Sequence, residues 1–420
     1  MKTATIRHIA AQEILDSRGE PTIRTTVELK NGMRASATVP AGVSTGSHEA
    51  HEKRDGGVRY GGKGVLRAVR NVTTVISKML SGVPIGDQRG IDDRLIALDP
   101  KPHRDRIGAN ALLGVSLACA RAGSIASETP LYVYLREQFS FPKPSTFPKP
   151  MCNILNGGRH SDNGISFQEY LVIADGRTIR EQLERVWRVI RAVKSELVTR
   201  GDRTLVGDEG GFAPLLSSNE EGLRLLTKAI RRAGLRIGKD VSLALDIAAS
   251  EWYSASRSSY FMKPEKKAYS GTALARYYQR LATKYNLRSI EDPFAEDDWD
   301  NWTLLTEKLG RSLLLIGDDL FVTQKSRLAQ GVHVHAANAI LIKPNQVGTL
   351  TETMETIQKA RASHYTYVIS HRSGETCDDF IADLAVAVGS PFLKAGSLAR
   401  GERLAKYNRL LVIAEEIGIL

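Results

Sequence analysis

The sequence predicts an α/β protein in which a parallel β/α barrel follows a smaller α+β domain. Three observations support this fold class: a hairpin pattern near the N-terminus, a proline-rich stretch between two differently patterned regions, and a series of apolar runs that each end in an ionisable residue. The spacing of that series matches one strand, one helix and two loops. In such a barrel, the chemistry lies at the carboxyl ends of the strands.

The first 40 residues predict a β-hairpin. Apolar residues alternate over 23–29 and again over 33–39, as they do in strands that are buried on one face. Between the two runs, Asn31 and Gly32 are typical of a type I′ turn.

Two helices are predicted to follow the hairpin. Apolar residues recur at helical spacing from Val65 to Leu80, and Gly82 marks the end of this helix. The second helix, over 109–126, is rich in small residues that permit close packing. Antiparallel strands followed by helices predict an α+β domain.

Residues 141–150 contain four of the chain's 15 prolines. Proline continues neither a helix nor a central strand, so an interdomain linker is favoured over a docking site for a proline-binding module. We expect an α+β domain over 1–136, a linker over 137–149 and a barrel over 150–420.

Capping patterns predict helices between the barrel strands. Thr178 with Glu181, and Ser218 with Glu221, are each spaced as a capping box before an apolar helical pattern. Gly234 is expected to end the second of these helices.

Composition excludes several classes of protein. The 420 residues contain no stretch typical of a secretion signal or a membrane span, which predicts a soluble, cytoplasmic protein. Three widely spaced cysteines argue against a disulfide framework or a zinc site. The net charge of +11 favours a solvated basic face; nucleic-acid binding is the less favoured alternative, since no nucleic-acid-binding motif is present.

Six ionisable residues each follow an apolar run, at intervals of 45, 27, 25, 28 and 23 residues: Asp246, Glu291, Asp318, Lys343, His371 and Lys394. Any one of them is more simply explained as a helix cap or a solvated strand end. Together, at barrel spacing, they predict one pocket.

The pattern of carboxylates predicts a metal site. Asp246, Glu291 and Asp318 would repel one another at adjacent strand ends unless a cation lay between them. Oxygen ligands without cysteine or clustered histidine favour Mg²⁺.

Lys343 and Lys394 would then lie near the metal, whose charge is expected to lower the pKa of a lysine and make it usable as a general base. Glu209 lies on a glycine-flanked turn, and Glu169 ends another apolar stretch. A lysine base and a carboxylic acid on either side of a metal-bound substrate predict β-elimination of water.

Two further segments predict contacts with an anionic substrate. Residues 370–376 combine His371 and Arg372 with a predicted helix N-terminus that can bind phosphate, although a simple cap explains them equally well. Residues 40–49 are punctuated by glycine and predict a mobile flap, and they match neither phosphate-loop nor dinucleotide motifs.

Ordered motifs along nearly the whole chain resemble those of the enolase family. They are 14–22, Asn156-Gly-Gly-Arg-His160, Gly207-Asp-Glu-Gly-Gly-Phe-Ala-Pro214, 245–251, 289–294, Gly317-Asp-Asp-Leu320, Lys343-Pro-Asn-Gln346, 370–376 and 401–408. The resemblance implies an eight-stranded barrel with an antiparallel second strand, after a small α+β domain. It also implies a lyase of glycolysis that dehydrates 2-phosphoglycerate to phosphoenolpyruvate with two Mg²⁺ ions, as a homodimer or a higher homo-oligomer.

Residue roles follow from the same resemblance. Lys343 matches the base, Glu209 the acid, Glu169 its assisting carboxylate, and Lys394 the group that stabilises the enolate; Asp246, Glu291 and Asp318 match the ligands of the tighter metal, and Ser44 a flap ligand of the second. The substrate-binding positions are His160, Gln168, Glu169, His371, Arg372, Ser373 and Lys394.

The sequence departs from the family pattern at Ala41, where serine usually begins the flap, at Gly57, and at Ser397-Leu398. None of these positions carries a catalytic group. The changed flap motivates an alternative, an enolase-like paralogue that dehydrates a related phosphorylated or phosphonylated hydroxy acid, as carboxyphosphonoenolpyruvate synthase does.

Overall fold

The computed structural model describes residues 4–43 and 46–420. Its N-terminal domain opens with a three-stranded antiparallel sheet in the order β1-β2-β3, formed by Ile6–Leu15, Pro21–Leu29 and Arg34–Thr38. The predicted hairpin is therefore confirmed.

The predicted turn type is wrong. A type I′ turn needs positive φ at both central residues, whereas only Gly32, with φ of 89°, has it. Gly32 donates its N–H to the carbonyl of Leu29, and Leu29 donates to the carbonyl of Met33. The loop is therefore a three-residue turn that ends in a left-handed glycine.

The helices of this domain are α1 (Leu66–Arg70), α2 (Ser77–Leu80), α3 (Gln88–Leu98), α4 (Ala109–Ala126) and α5 (Leu131–Gln138). A π-helical stretch, Asn71–Ile76, joins α1 to α2, so the predicted helix over 65–80 is continuous but widened in the middle. The predicted helix over 109–126 is confirmed. By length and composition alone α4 could cross a membrane, but 83% of it is buried inside the protein, as expected of a core helix.

Eight strands close into a barrel: β4 (Lys149–Asn156), β5 (Glu169–Ala174), β6 (Val241–Asp246), β10 (Leu287–Glu291), β11 (Leu314–Gly317), β12 (Ala339–Ile342), β13 (Thr366–Ser370) and β14 (Phe392–Lys394). Only β5, the second barrel strand, runs antiparallel to its neighbours; the other adjacent pairs are parallel. The fold class and the antiparallel second strand are both confirmed.

Helices surround the barrel: α6 (Ile179–Thr199), α7 (Asn219–Arg232), α8 (Gly271–Tyr285), α9 (Trp299–Leu309), α10 (Lys325–Val334), α11 (Leu350–Ala362), α12 (Phe380–Val388) and α13 (Gly401–Glu416). A small sheet of β7 (Tyr253–Ser254), β8 (Ser259–Met262) and β9 (Lys267–Tyr269) lies between β6 and α8.

Only the first of the two predicted capping boxes has an N-cap hydrogen bond to its side chain. The Thr178 hydroxyl accepts a hydrogen bond from the N–H of Glu181, which confirms the first cap. Ser218 makes no side-chain cap, and Glu221 instead accepts hydrogen bonds from the N–H and hydroxyl of Ser217. Gly234, with φ of 70°, follows the end of α7 as predicted.

The proline-rich stretch is not wholly a linker. No helix or strand forms between α5 and β4, but Lys149 and Pro150 begin β4, and Pro150 is buried in the barrel wall. Proline is tolerated there because the start of a strand needs fewer ladder hydrogen bonds. The predicted domain boundaries at 137 and 149 remain predictions.

Candidate active site

The barrel brings the predicted residues together because side chains alternate along each strand. Ala339 and Leu341 of β12 belong to the apolar cluster that fills the barrel interior. Lys343, in extended backbone two residues later, is the next inward position. The same alternation turns Asp246, the last residue of β6, into the cavity above Ala244.

Five other predicted residues reach this end of the barrel. Glu291 and Lys394 are the last residues of β10 and β14, and Asp318 and His371 directly follow β11 and β13. Glu169 was expected to end an apolar stretch, but it begins β5. Since β5 is antiparallel, its start lies beside the strand ends, with Glu169 in register with Asp246.

Lys394 lies at the centre of a carboxylate cluster. Its Nζ lies 2.8 Å and 2.9 Å from the two oxygens of Glu291, 3.0 Å from Asp246 Oδ2 and 3.2 Å from Glu169 Oε1. All four side chains are buried. Burial acts to lower the pKa of Lys394, but the carboxylates outweigh it and hold that pKa well above its usual range.

Lys343 pairs with a different carboxylate. Its Nζ donates to Asp318 Oδ2, and Gln346 Nε2 donates to Asp318 Oδ1 at 3.0 Å. Burial acts to lower the pKa of Lys343, but the charge of Asp318 outweighs it, so the pKa is raised. The lowered pKa that was expected for Lys343 beside a bound cation stays a prediction.

Glu169 and Glu209 are neighbouring carboxyl groups beside His160. His160 Nδ1 is 3.7 Å from Glu169 Oε1 and 3.8 Å from Glu209 Oε1, so the two carboxyl groups are close neighbours. Burial, together with the negative charge of Glu209, raises the pKa of Glu169 well above its ordinary value. Burial also acts to raise the pKa of Glu209, but the charges of His371 and His160 outweigh it and lower that pKa well below its ordinary value. The two neighbouring carboxyl groups therefore differ strongly in acidity.

His371 faces Glu209. Its Nε2 lies 3.3 Å from Glu209 Oε2, and Asn153 Nδ2 donates to the same oxygen at 3.3 Å. On the other side of the imidazole, Arg403 Nη1 lies 2.6 Å from Nδ1. Burial lowers the pKa of His371 to about 4, so the ring is neutral at physiological pH.

The predicted phosphate segment is anchored to the N-terminal domain. Arg372 forms a two-pronged ion pair with Glu49, at 2.8 Å and 3.2 Å, and also donates to Asn345 Oδ1 at 3.1 Å. Ser373 Oγ accepts a hydrogen bond from the N–H of Val43 at 2.8 Å. The flap that contains Val43 therefore reaches the rim of the barrel.

Ala41 also docks on this rim. Its N–H and carbonyl exchange hydrogen bonds with Gly374, at 2.8 Å and 2.9 Å. These contacts use the backbone alone, so they do not require the serine usual at this position. Ser44, the predicted flap ligand of a metal, lies outside the described residues.

The donor set fits a hard divalent cation. Asp246 and Glu291 share a contact with Lys394, while Asp318 is held by Lys343, so the three carboxylates lie together beside two ammonium groups. Gln168 donates to Asp246 at 3.2 Å, and its own Oε1, like Glu169 Oε2, is buried without a hydrogen-bond partner. Unpaired buried oxygens on such a cluster are available to a metal or to metal-bound water.

Among the described residues, two groups bring potential ligand atoms within 4.8 Å of one another: His160, Glu169 and Glu209, and Asp292, Asp318 and Asp319. The predicted set of Asp246, Glu291 and Asp318 is not one of them. In the second group, Asp292 accepts hydrogen bonds from the N–H groups of Asp318 and Asp319, at 2.9 Å and 2.8 Å. It therefore orients the end of β11.

A small polar cavity of about 20 Å³ joins these groups. The predicted residues His160, Gln168, Glu169, Glu209, Asp246, Lys343, His371, Arg372, Ser373 and Lys394 line it, together with Ser370. Glu291 and Asp318 lie directly behind the two lysines.

Sequence reasoning missed several supporting residues. Glu49 and Gln346 connect the flap to Asp318, and Arg403 and Asn153 hold His371 and Glu209. Arg403 and Gln346 fall within motifs quoted above, but a motif does not show which side chain its members contact.

Two protein-family models match the chain. The model of the enolase N-terminal domain matches residues 6–135, and that of the enolase C-terminal TIM barrel domain matches residues 144–419. The matches agree with the observed domain order and barrel, and the chain therefore belongs to the enolase family of lyases.

Proposed function

We propose that this protein removes water from 2-phosphoglycerate to form phosphoenolpyruvate in glycolysis, and catalyses the reverse reaction in gluconeogenesis. One observation carries the proposal: a buried lysine, Lys343, lines the same polar cavity as two neighbouring carboxyl groups, Glu169, whose pKa is raised, and Glu209. A base and an acid in one cavity are what the elimination of water across a C–C bond requires.

Substrate binding follows from the charges of the lining. The substrate carries a phosphate and a carboxylate, and the cavity offers Arg372, Lys394 and the Ser373 hydroxyl. We assign the phosphate to Arg372, Ser373 and His160, and the carboxylate to the side of Lys394 and Gln168. His371 is neutral and contributes hydrogen bonding without a charge.

The proton transfers use the two sides of the cavity. Lys343, in its neutral form, takes the proton from C2, and the electron pair of that bond develops negative charge on the carboxylate side, next to the ammonium of Lys394. Glu209, which we propose receives a proton from the neighbouring Glu169, then donates that proton to the C3 hydroxyl, and the C3–O bond breaks as water leaves. The double bond forms between C2 and C3.

Mg²⁺ is the cofactor that the donor chemistry favours. Asp246, Glu291 and Asp318 are proposed to hold one ion, and Ser44 a second. When bound, the metal stabilises the negative charge that grows on the substrate carboxylate as C2 loses its proton. A divalent charge near Asp318 would also compete with Lys343 for that carboxylate, which would lower the pKa of the lysine towards that of a usable base.

The test is to follow the ultraviolet absorbance of phosphoenolpyruvate after 2-phosphoglycerate is added, with and without Mg²⁺. We expect Mg²⁺-dependent turnover in the wild type and in Lys325→Ala, which alters an exposed lysine on α10. A folded, Mg²⁺-binding protein that leaves 2-phosphoglycerate unchanged would refute the proposal.

The second candidate is a paralogue that acts on a related phosphorylated or phosphonylated hydroxy acid. Ala41, on the rim beside Ser373, is the observation that favours it. Comparing kcat/KM for 2-phosphoglycerate and for a phosphonate analogue discriminates the two candidates. Equal or better use of 2-phosphoglycerate argues against the paralogue. A cytoplasmic location and a homodimeric or larger assembly remain predictions, and sedimentation velocity would test the second.

A further inference from the structure

Arg403 is a fully buried arginine at the start of α13, next to the active site but not among the predicted catalytic groups. Its guanidinium donates to His371 Nδ1, to the carbonyls of Arg372 and Ser373, and to the carbonyl of Asp208 at 3.2 Å. A Cβ at Gly396, where φ is 77°, would lie 2.9 Å from Arg403 Cδ, so this glycine leaves the space that the arginine occupies.

The contact between Arg403 and His371 fixes the position of a proton. A guanidinium can only donate hydrogen bonds, so the Nδ1 atom that it contacts at 2.6 Å must be an unprotonated acceptor. The single ring proton of the neutral imidazole then lies on Nε2. That atom faces Glu209 Oε2 at 3.3 Å, where an N–H can donate and a bare nitrogen could not.

We propose that Arg403 is a positioning residue that holds His371 in its Nε2-protonated, uncharged form and so directs one N–H at Glu209. Its catalytic consequence rests on the proposed function, in which Glu209 is the acid. Without Arg403, the ring is free to carry its proton on Nδ1 or on both nitrogens. The first form removes a donor from Glu209, and the second places a positive charge beside it that opposes its protonation.

Lys406 provides a matched comparison on the same helix face. It is also fully buried, and its Nζ binds Glu375 Oε2 at 2.7 Å and the carbonyl of Thr376 at 2.6 Å. Lys406 therefore supports the same loop as Arg403 does, but its described hydrogen bonds do not include His371. A purely structural role of Arg403 predicts the same result for both variants.

The experiment is a two-bond ¹H–¹⁵N correlation spectrum of the full-length protein labelled with ¹⁵N-histidine, in which the His371→Gln variant identifies the His371 signals. In the wild type, we expect the Nε2-protonated tautomer from pH 6 to pH 8. An Nδ1-protonated ring or an imidazolium in that range would overturn the proposal without any variant. This readout needs no turnover, so it remains decisive even if 2-phosphoglycerate is not a substrate.

Variants of Arg403 and Lys406 then test whether Arg403 determines the tautomer of His371. Arg403→Met is expected to give mixed tautomers or a titrating ring and to lower kcat by about 10²- to 10⁴-fold with a smaller change in KM. Arg403→Lys keeps a charged donor and should restore the Nε2-protonated signal, whereas Lys406→Met should leave the tautomer unchanged. If folded Arg403→Met keeps the wild-type tautomer, or if Lys406→Met loses it equally, the proposal is wrong. If Arg403→Met does not fold, the His371 tautomer in the wild type and in Arg403→Lys tests the proposal.

Discussion

Asp92 of the N-terminal domain caps a helix of the barrel through Thr351. Its Oδ2 accepts hydrogen bonds from both the N–H and the hydroxyl of Thr351, at 2.8 Å and 2.7 Å, in the first turn of α11. Burial raises the pKa of Asp92 to about 6, although hydrogen bonds from Ser116 and Thr351 act in the opposite direction. The protonation state of Asp92, and with it this contact between the domains, is therefore expected to change near pH 6.

The first prediction concerns the pH dependence of stability. A carboxyl group whose pKa is raised by folding destabilises the folded state as pH rises from its unfolded value of 3.8 through about 6, and a shift of this size corresponds to roughly 3 kcal/mol. Asp92→Asn removes this titration. Its thermal midpoint, relative to that of the wild type, should therefore rise between pH 4 and pH 7.

Asp93→Asn is the matched control, because Asp93 is the exposed neighbour of Asp92 on α3. Scanning calorimetry at several pH values would measure all three proteins. Parallel curves for the wild type and Asp92→Asn would show that Asp92 does not titrate in this range.

The second prediction concerns the proposed base. Lys343→Ala should reduce kcat by at least about 10²-fold, because no other described side chain at this position can take the C2 proton. It should leave Mg²⁺ binding intact or tighten it, since the variant frees Asp318 from its ion pair. Turnover assays and isothermal titration with Mg²⁺ measure the two effects. Retained activity would show that another group is the base.

The six strand-end residues could be predicted from the sequence because a strand followed by a loop leaves a local signal. An apolar run such as 339–342 forms a buried strand, and the residue after it reaches the barrel mouth. Glu169 was recognised as a site residue but placed at the wrong end of its strand, because an apolar run carries no sign of chain direction.

The supporting network could not be predicted in this way. Glu49 pairs with Arg372, which lies 323 residues away, and Arg403 contacts His371 across two segments. Neither contact follows from local periodicity, since each depends on how separate elements pack. The pKa of Lys343 likewise depends on its contact with Asp318, 25 residues away, which the local pattern does not show.

The third prediction concerns the basic surface. Several of its charges are already neutralised: Lys228 and Arg232 both pair with Glu196, and Arg280 pairs with Glu220. We therefore expect only weak, nonspecific binding of nucleic acid, with elution from a heparin or RNA column below about 0.15 M salt. Retention well above that concentration would reopen the nucleic-acid alternative.

The fourth prediction concerns the flap. Ala41 docks on Gly374 through backbone hydrogen bonds only, so Ala41→Ser should change kcat/KM for 2-phosphoglycerate by less than about threefold. Ser373→Ala, which removes the acceptor for the N–H of Val43, should lower it more strongly. A large gain on restoring the serine would instead favour a paralogue with another substrate.

The last prediction concerns the release of a proton from Glu291 when Mg²⁺ binds. Burial, together with the charge of Asp246, raises the pKa of Glu291 to about 8, while the ammonium of Lys394 acts in the opposite direction, so we expect a fraction of this carboxyl group to be protonated at pH 7. A metal binds the carboxylate form, so Mg²⁺ binding at pH 7 must release this proton, and the apparent affinity should rise by up to about tenfold between pH 7 and pH 8.5 before levelling off.

Titration calorimetry in buffers of different ionisation enthalpy measures the number of protons released. We expect proton release on Mg²⁺ binding at pH 7 and less release at pH 9, because Glu291 is then more fully ionised. Glu291→Gln should weaken binding and remove the pH dependence, whereas Glu307→Gln, which changes an exposed carboxylate on α9, should alter neither. If Mg²⁺ binding does not depend on pH and releases no proton, then Lys394 already keeps Glu291 ionised. In that case the metal replaces an ammonium group rather than a proton.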